Sequence, residues 1–495
     1  MRRRNVVMFS GFAVILAAVL MVGCGSNGGS TSVQSTQTAM GSVVTFGTDA
    51  PICDVESFSA TITSASLVPQ GGGTAATLIS SASPATVDFA RLADFNNILS
   101  VASSVPAGTY NQLQMTLTSP QLIALNTSTN PPSPQTIPAS LTATNFTLTI
   151  NPALVVAANT TSGLLFDFNL RKSLQVNGTG QVTGTVDPQI TVTAGTTSGT
   201  TVGEADTLYG IVQSVSTTNP PSGFTGSFGL AVRDGTGQML TILTNSSTVF
   251  EGDGVTSLSG LTASTFVEVD AIVNTSGQII AQTVDVEEQT STASQKAAFL
   301  GHIIAVTRDG SGNATSFTLL VDDEVPNISG SIPFHSGLVV TLTGTTNYFT
   351  NWPHWNRQAF TYGPKTLGLG QKVAVHGVLG SGSPPPMTAH QVFLRPRTVV
   401  GNFNTLQAAG SDNKTGGFTL TPCGAIFGGN PITVMTFADT NFTGVSGLTG
   451  LTTAPTYNTN GILFYEQSSG TSASGASWTA PTWVLQTRRV HQLPN

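Results

Sequence analysis

The chain has 495 residues, of which 17 are Lys or Arg and 24 are Asp or Glu, so only 8% are charged and the formal net charge is −7. Ser and Thr make up about a quarter of the residues, so hydroxyls and amides cover a surface on which a typical soluble protein uses about 25% charged residues. These numbers exclude a basic nucleic-acid binder and a charged coiled coil, and at 39% hydrophobic the chain is too apolar to be wholly disordered.

The start reads as an export signal. Met1-Arg2-Arg3-Arg4 is basic, and Val6 to Leu20 is an apolar run about as long as a secretory signal core. The run ends in Leu20-Met21-Val22-Gly23-Cys24. This resembles a bacterial lipobox, with Met21 in place of the more usual Leu. The resemblance implies that residues 1–24 are a lipoprotein signal peptide and that Cys24 is the lipid-attachment site. Acyl chains on Cys24 would then be the membrane partner, each buried CH₂ contributing about 0.8 kcal/mol. The alternatives are an uncleaved anchor or a plain signal peptide with a chance cysteine. Gly25 stands where Asp marks inner-membrane retention in Gram-negative lipoproteins, so the expected location is the outer membrane, on its periplasmic or cell-surface side. Residues 25–40, rich in Gly, Ser and Thr, read as a flexible tether. No later stretch reaches 18 apolar residues.

The remainder reads as all-β. Strand-like segments recur at Ser59 to Leu67, Asn111 to Leu117, Phe146 to Ile150, Gln189 to Thr193 and Val267 to Val273, separated by Gly, Pro, Asn and Asp. Asp88 to Val101, with Phe89, Leu92, Phe95, Ile98 and Leu99 at helical spacing, predicts a short helix or structured turn. Within residues 41–195, Thr48-Asp49-Ala50-Pro51 and Pro106-Ala107-Gly108-Thr109-Tyr110 stand out, together with Val87-Asp88-Phe89-Ala90-Arg91-Leu92 and Phe166-Asp167-Phe168. This region resembles the lipoprotein domain-of-unknown-function family 4382. The resemblance implies an exported β-sandwich of prealbumin-like type with no established activity. Pro106-Ala107-Gly108 predicts a tight turn, after which Tyr110 packs while its hydroxyl reaches a partner.

The rest is an internal repeat. Its units open at Tyr209-Gly210-Ile211-Val212, Leu300-Gly301-His302-Ile303 and Val400-Gly401-Asn402-Phe403. Each third strand is expected to end in a hydroxyl-x-aromatic signature: Thr248-Val249-Phe250, Thr346-Asn347-Tyr348 and Thr440-Asn441-Phe442. Five short strands per unit suit a small closed barrel. The pattern resembles domain-of-unknown-function family 5666, which implies OB-like barrels at residues 207–289, 298–397 and, more divergently, 398–495.

Chemistry is harder to find. The chain lacks H-E-x-x-H, a phosphate-binding G-x-x-x-x-G-K-[ST], an EF-hand loop and a G-x-S-x-G elbow. No catalytic residues and no cofactor are therefore expected. Cys53 and Cys423 lie 370 positions apart in different predicted modules and read as buried thiols, although export would permit a disulfide. Asp49, Asp54 and Asp322-Asp323-Glu324 read as solvated turns, with calcium as the alternative. Five of the six histidines lie in the second repeat. His302, His376 and His390 are metal ligands only if their strands converge, and otherwise occupy a polar face. The sharpest feature is the loop containing Trp352, His354, Trp355, Arg357 and Tyr362. Flat rings beside donors suit stacking on a glycan, and the alternative is packing against a neighbouring module. The leading expectation is a non-enzymatic envelope lipoprotein with a structural or adhesive role and an envelope protein as partner. Glycan binding comes second, and a cryptic metal protein or enzyme third. No nucleic-acid partner is expected.

Overall fold

A computed structural model describes residues 39–493 except 50–51, 93–96, 127, 130–131, 179–180, 196–197, 234–237, 253, 289–295, 326–331, 333–334 and 351–357. Alternation sets the first domain. Along Val55–Pro69, Phe58, Ala60 and Ile62 are buried while Ser59, Thr61 and Thr63 are partly exposed, the period of a strand with one covered face. A ten-stranded sheet doubles over at the single pairing of Val192 with Ile150, giving a sandwich. Its inner layer holds Phe58, Phe89, Phe166 and Phe168, with Phe89 stacked on Phe168 at 4.5 Å between centroids. Tyr110 is buried and its hydroxyl donates to the Pro106 carbonyl at 2.7 Å, the anchored geometry expected of the Pro-Ala-Gly turn.

The helix expected at Asp88 to Val101 is corrected. Only Phe89–Leu92 is helical, as one 3₁₀ turn, and Asn97–Pro106 is a strand paired with Met40–Asp49. Phe89 and Leu92 enter the sandwich core. Ile98 then turns toward the first barrel and Leu99 back toward the sandwich, so the apolar spacing comes from a turn followed by a two-sided strand.

The repeats form closed five-stranded barrels with one connectivity. In the first, the strands are Thr201–Ser216, Gly226–Val232, Met239–Thr244, Phe266–Asn274 and Ile279–Glu288. They pair in the order 1-2-3-5-4-1, with only the 3–5 pairing parallel. The second follows the same order through Lys296–Arg308, Ala314–Val325, Gly337–Thr341, Lys372–Leu379 and Met387–Ala409. That last strand changes partners near Arg395 and Pro396 and becomes the first strand of the third barrel. Gly416–Pro422, Ile432–Thr436, Thr456–Glu466 and Thr482–Gln492 complete it.

Two local devices repeat with the strands. At Gly210, Gly301 and Gly401 an added Cβ would collide with the carbonyl of Ala231, Leu320 or Thr421 on the second strand. Three residues later the register slips in each unit, past Gln213, Ile304 and Asn404, a bulge that bends the strand around the barrel. The hydroxyl-x-aromatic signature does not end the third strand. Its last two residues lie in a separate short strand paired parallel with the fifth, and its Thr immediately precedes that strand. Each Thr hydroxyl donates to a fifth-strand carbonyl: Thr248 to Ala281 at 2.9 Å, Thr346 to Ala389 at 2.8 Å and Thr440 to Thr487 at 2.9 Å. Each also accepts from the backbone N–H three residues earlier.

The four modules are docked. Val44, Phe46 and Ile98 of the sandwich enter the first barrel's core, and Ile462 and Phe464 of the third barrel enter the second's. Arg395 of the strand shared by the second and third barrels forms a buried ion pair with Asp285 of the first at 2.5 Å. Arg489 of the third barrel reaches Asp206 of the first at 3.3 Å. Cys53 and Cys423 are joined in a disulfide, Cα atoms 5.7 Å apart, linking sandwich to third barrel. This corrects the buried-thiol expectation: docking brings together cysteines that are remote in sequence, and Cys423 is exposed.

Thr346→Val keeps the shape but leaves the Ala389 carbonyl and Thr343 N–H without the hydroxyl. It should destabilise the chain by about 1–3 kcal/mol. Urea unfolding checks this, and an unchanged midpoint would mean that the signature is not structural.

Candidate functional site

Eight of the described Asp, Glu, Lys and Arg residues gather where the four modules meet. A cavity of about 230 Å³ opens there, larger than one or two waters need. The sandwich contributes Asp54, Glu56, Asp88 and Arg91 to its wall, the first barrel Tyr209 and Arg233, and the second His302, Asp322 and Lys372. Arg397, on the shared strand, completes the polar set. Leu99, Leu125, Ile304, Ile426 and Phe427 supply apolar wall, and the disulfide lies along one side. Four carboxylic acids, four Lys or Arg side chains and one histidine thus line one hollow in a chain that is only 8% charged.

Local folding fixes each group. Asp88 precedes the 3₁₀ turn and accepts from Ser57 Oγ at 2.7 Å, Phe58 N at 3.0 Å and Ala90 N at 3.2 Å. His335 Nε2 lies 3.4 Å from it. Burial works against the charged imidazole, but the Asp88 carboxylate outweighs it and raises the His335 pKa. Asp54 accepts from Ala425 N at 2.7 Å, a tie to the third barrel beside the disulfide, and burial raises its pKa. Asp322 Oδ2 lies 2.9 Å from His302 Nδ1. Burial opposes its ionisation, yet His302, Lys372 and His335 hold the carboxyl well below the usual range. Lys372 Nζ donates to the Tyr209 hydroxyl at 3.3 Å and lies 5.4 Å from that ring's centroid, while Arg91 approaches the same ring at 5.8 Å, a shared cation–π contact. Burial, reinforced by Asp322, pushes the Glu56 carboxyl up to about 7. Arg397 is brought down to about 10 by burial, against the pull of Glu56 and Asp322, and stays charged at neutral pH.

The sequence-predicted site residues fare differently. Cys24, Trp352, His354, Trp355 and Arg357 lie outside the described residues. Tyr362 packs edge-on against Tyr348 at 5.9 Å, beside the core of the second barrel, and burial pushes its hydroxyl pKa well up. Further along the same loop, Phe360 meets Phe464 and Trp478 of the third barrel. The three histidines do not converge. His302 faces the cavity and sits opposite Lys372, His376 sits opposite Ala298 and lies against Phe393, and His390 is exposed. Among the described residues, no group of three or more His, Cys, Asp or Glu is placed to hold a metal. The solvated-turn expectation is corrected as well. Asp49 is buried and accepts from Leu170 N at 2.9 Å, while Asp54 and Asp322 line the cavity.

Sequence reasoning missed Glu56, Asp88 and Arg397. The available signal was their position: charged residues within or ending strands of a chain that otherwise covers its strands with Ser and Thr.

Comparison with known proteins locates one family. Residues 40–183 match the family model described as domain of unknown function (DUF4382), in agreement with the resemblance noted in the first domain. No curated protein matches the chain. Among solved structures, a chain titled drosophila Unr CSD456 is similar at 11% identity and a TM-score of 0.15, covering 59% of this chain and 98% of that one.

Glu56 binds its proton more tightly in the folded than in the unfolded chain. Its contribution to stability is therefore full below about pH 4.5 and is lost as pH rises toward about 7. Glu268, at the neighbouring junction, is raised to about 7 by burial and acts in the same sense. Glu56→Gln should stabilise the chain at pH 8 by on the order of 1–3 kcal/mol and change little at pH 4. Urea midpoints at both pH values check this. Equal effects at the two would show that Glu56 is not held protonated by its surroundings.

Proposed function

We propose that the protein is an exported lipoprotein of the outer membrane, anchored through Cys24. In this reading residues 25–40 are its tether, and the sandwich and three barrels form a rigid, non-catalytic platform for contact with other envelope molecules. The observation that carries the reading is the Cys53–Cys423 disulfide, because such bonds persist in oxidising compartments outside the cytoplasm. The lipobox-like ending at Cys24 supports anchoring. The platform role draws on the inter-module ion pairs, which tie the modules to one another. The shared strand order and Thr signature support reading the barrels as tandem units of the domain-of-unknown-function 5666 type. An envelope protein is the preferred partner over a glycan, because the described end of the aromatic loop, at Phe360 and Tyr362, is occupied in packing.

Cys24→Ala should move the protein from the membrane pellet to the soluble fraction and abolish incorporation of a palmitate label. Continued membrane association would overturn the anchored reading.

A further inference from the structure

Among the described residues, two groups in the junction cavity lack a full set of partners. Glu56 lines the cavity, and among the described residues its carboxyl has no hydrogen-bond partner, although Asp54 and Asp322 surround it with further negative charge. Arg397 uses Nε on the Thr398 carbonyl at 3.2 Å and Nη1 on the Gly370 carbonyl, while its ring-side face lies 5.4 Å from Phe427. Among the described residues its Nη2 has no partner. Glu56 and Arg397 attract one another but stand farther apart than an ion pair. A deep carboxyl and a deep guanidinium that face one hollow without meeting leave a gap in which one molecule can bridge both. Elsewhere in the junction the protein closes such gaps itself, as Asp285 and Arg395 do at 2.5 Å.

We propose that this cavity is a binding site for a small zwitterion with an apolar body, of amino-acid or betaine size. The cationic end of the ligand would lie against Glu56, with Asp54 and Asp322 behind it. Its carboxylate would lie against Arg397 and accept from Nη2, the guanidinium nitrogen that the Thr398 and Gly370 carbonyls leave unused. Leu125, Ile304 and Ile426 form the apolar wall for the body. A lining of both signs disfavours an ion of a single sign, because either end of such an ion would leave one buried charge unanswered. The volume of about 230 Å³ sets the size class, just below that of drug-sized pockets. Because the walls come from all four modules, ligand and docking are linked: a molecule bound there favours the docked state. This goes beyond the platform role by giving the platform an interior receptor site.

The test is calorimetric titration and thermal melting of the intact chain in detergent, with L-leucine, L-proline and glycine betaine as probes. 4-Methylpentanoate, which lacks the ammonium, and 3-methylbutylamine, which lacks the carboxylate, are the controls for leucine. At least one zwitterion should bind saturably and raise the melting temperature. If that zwitterion is leucine, each control should bind at least tenfold more weakly. Glu56→Gln should weaken the zwitterion at least tenfold while changing 4-methylpentanoate less than twofold, and Leu125→Phe, which fills the hollow from its apolar side, should abolish binding. Absence of saturable binding by all three zwitterions, equal binding of leucine and its controls, or a bound zwitterion insensitive to both substitutions would overturn the proposal. Anchoring plays no part in this assay, so failure here leaves the lipoprotein reading standing.

Discussion

Asp285 and Arg395 belong to different barrels, and neither can stay buried alone. Removing one partner from such a pair costs about 3–5 kcal/mol, because the other charge is left without water or a counter-ion. The same constraint recurs at Asp206 with Arg489 and at Asp88 with His335, each a contact between modules. Within a barrel, stability comes from apolar strands, the repeated bulge and the Thr hydroxyl ties, none of which needs a charge. Ionic residues are therefore rare along much of the chain and prominent where modules meet. The disulfide adds a covalent limit on how far the sandwich can part from the third barrel, and Asp54, next to Cys53, hydrogen-bonds the Ala425 amide on the far side of that joint.

This division explains what could be read from the sequence. The all-β class, the three units and the Thr signature were legible because each rests on a local period or a contact repeated in register. Residues such as Thr248, Thr346 and Thr440 do the same work three times, and self-comparison exposes them. The segment after Asp88 was misread because Phe89 and Leu92 on a turn, followed by Ile98 and Leu99 on a two-sided strand, imitate helical spacing. The disulfide was open only as the lesser alternative, and the cavity was not legible at all. They depend on how four modules dock, and nothing local to Cys53, Glu56 or Arg397 specifies their neighbours. The histidines show how sequence clustering differs from clustering in space. Clustering in sequence singled out His302, His376 and His390, but strand register separates them and gives only His302 to the cavity.

The junction also changes what the modular plan means. Tandem barrels on a tether suggest beads that move independently. Here one strand, Met387–Ala409, serves two barrels, sandwich residues enter the first barrel's core, and the cavity exists only while all four parts are docked. Under the proposed zwitterion binding, occupancy of that cavity would be linked to docking of the whole body.

The central claim is that buried inter-module charges and the disulfide make the modules a single cooperative body. Differential scanning calorimetry of the oxidised wild-type chain beside a reduced Arg395→Gln variant tests it most directly. The account predicts one cooperative transition for the oxidised wild type and resolved, lower-temperature transitions for the variant. Several independent transitions in the intact oxidised chain would contradict it.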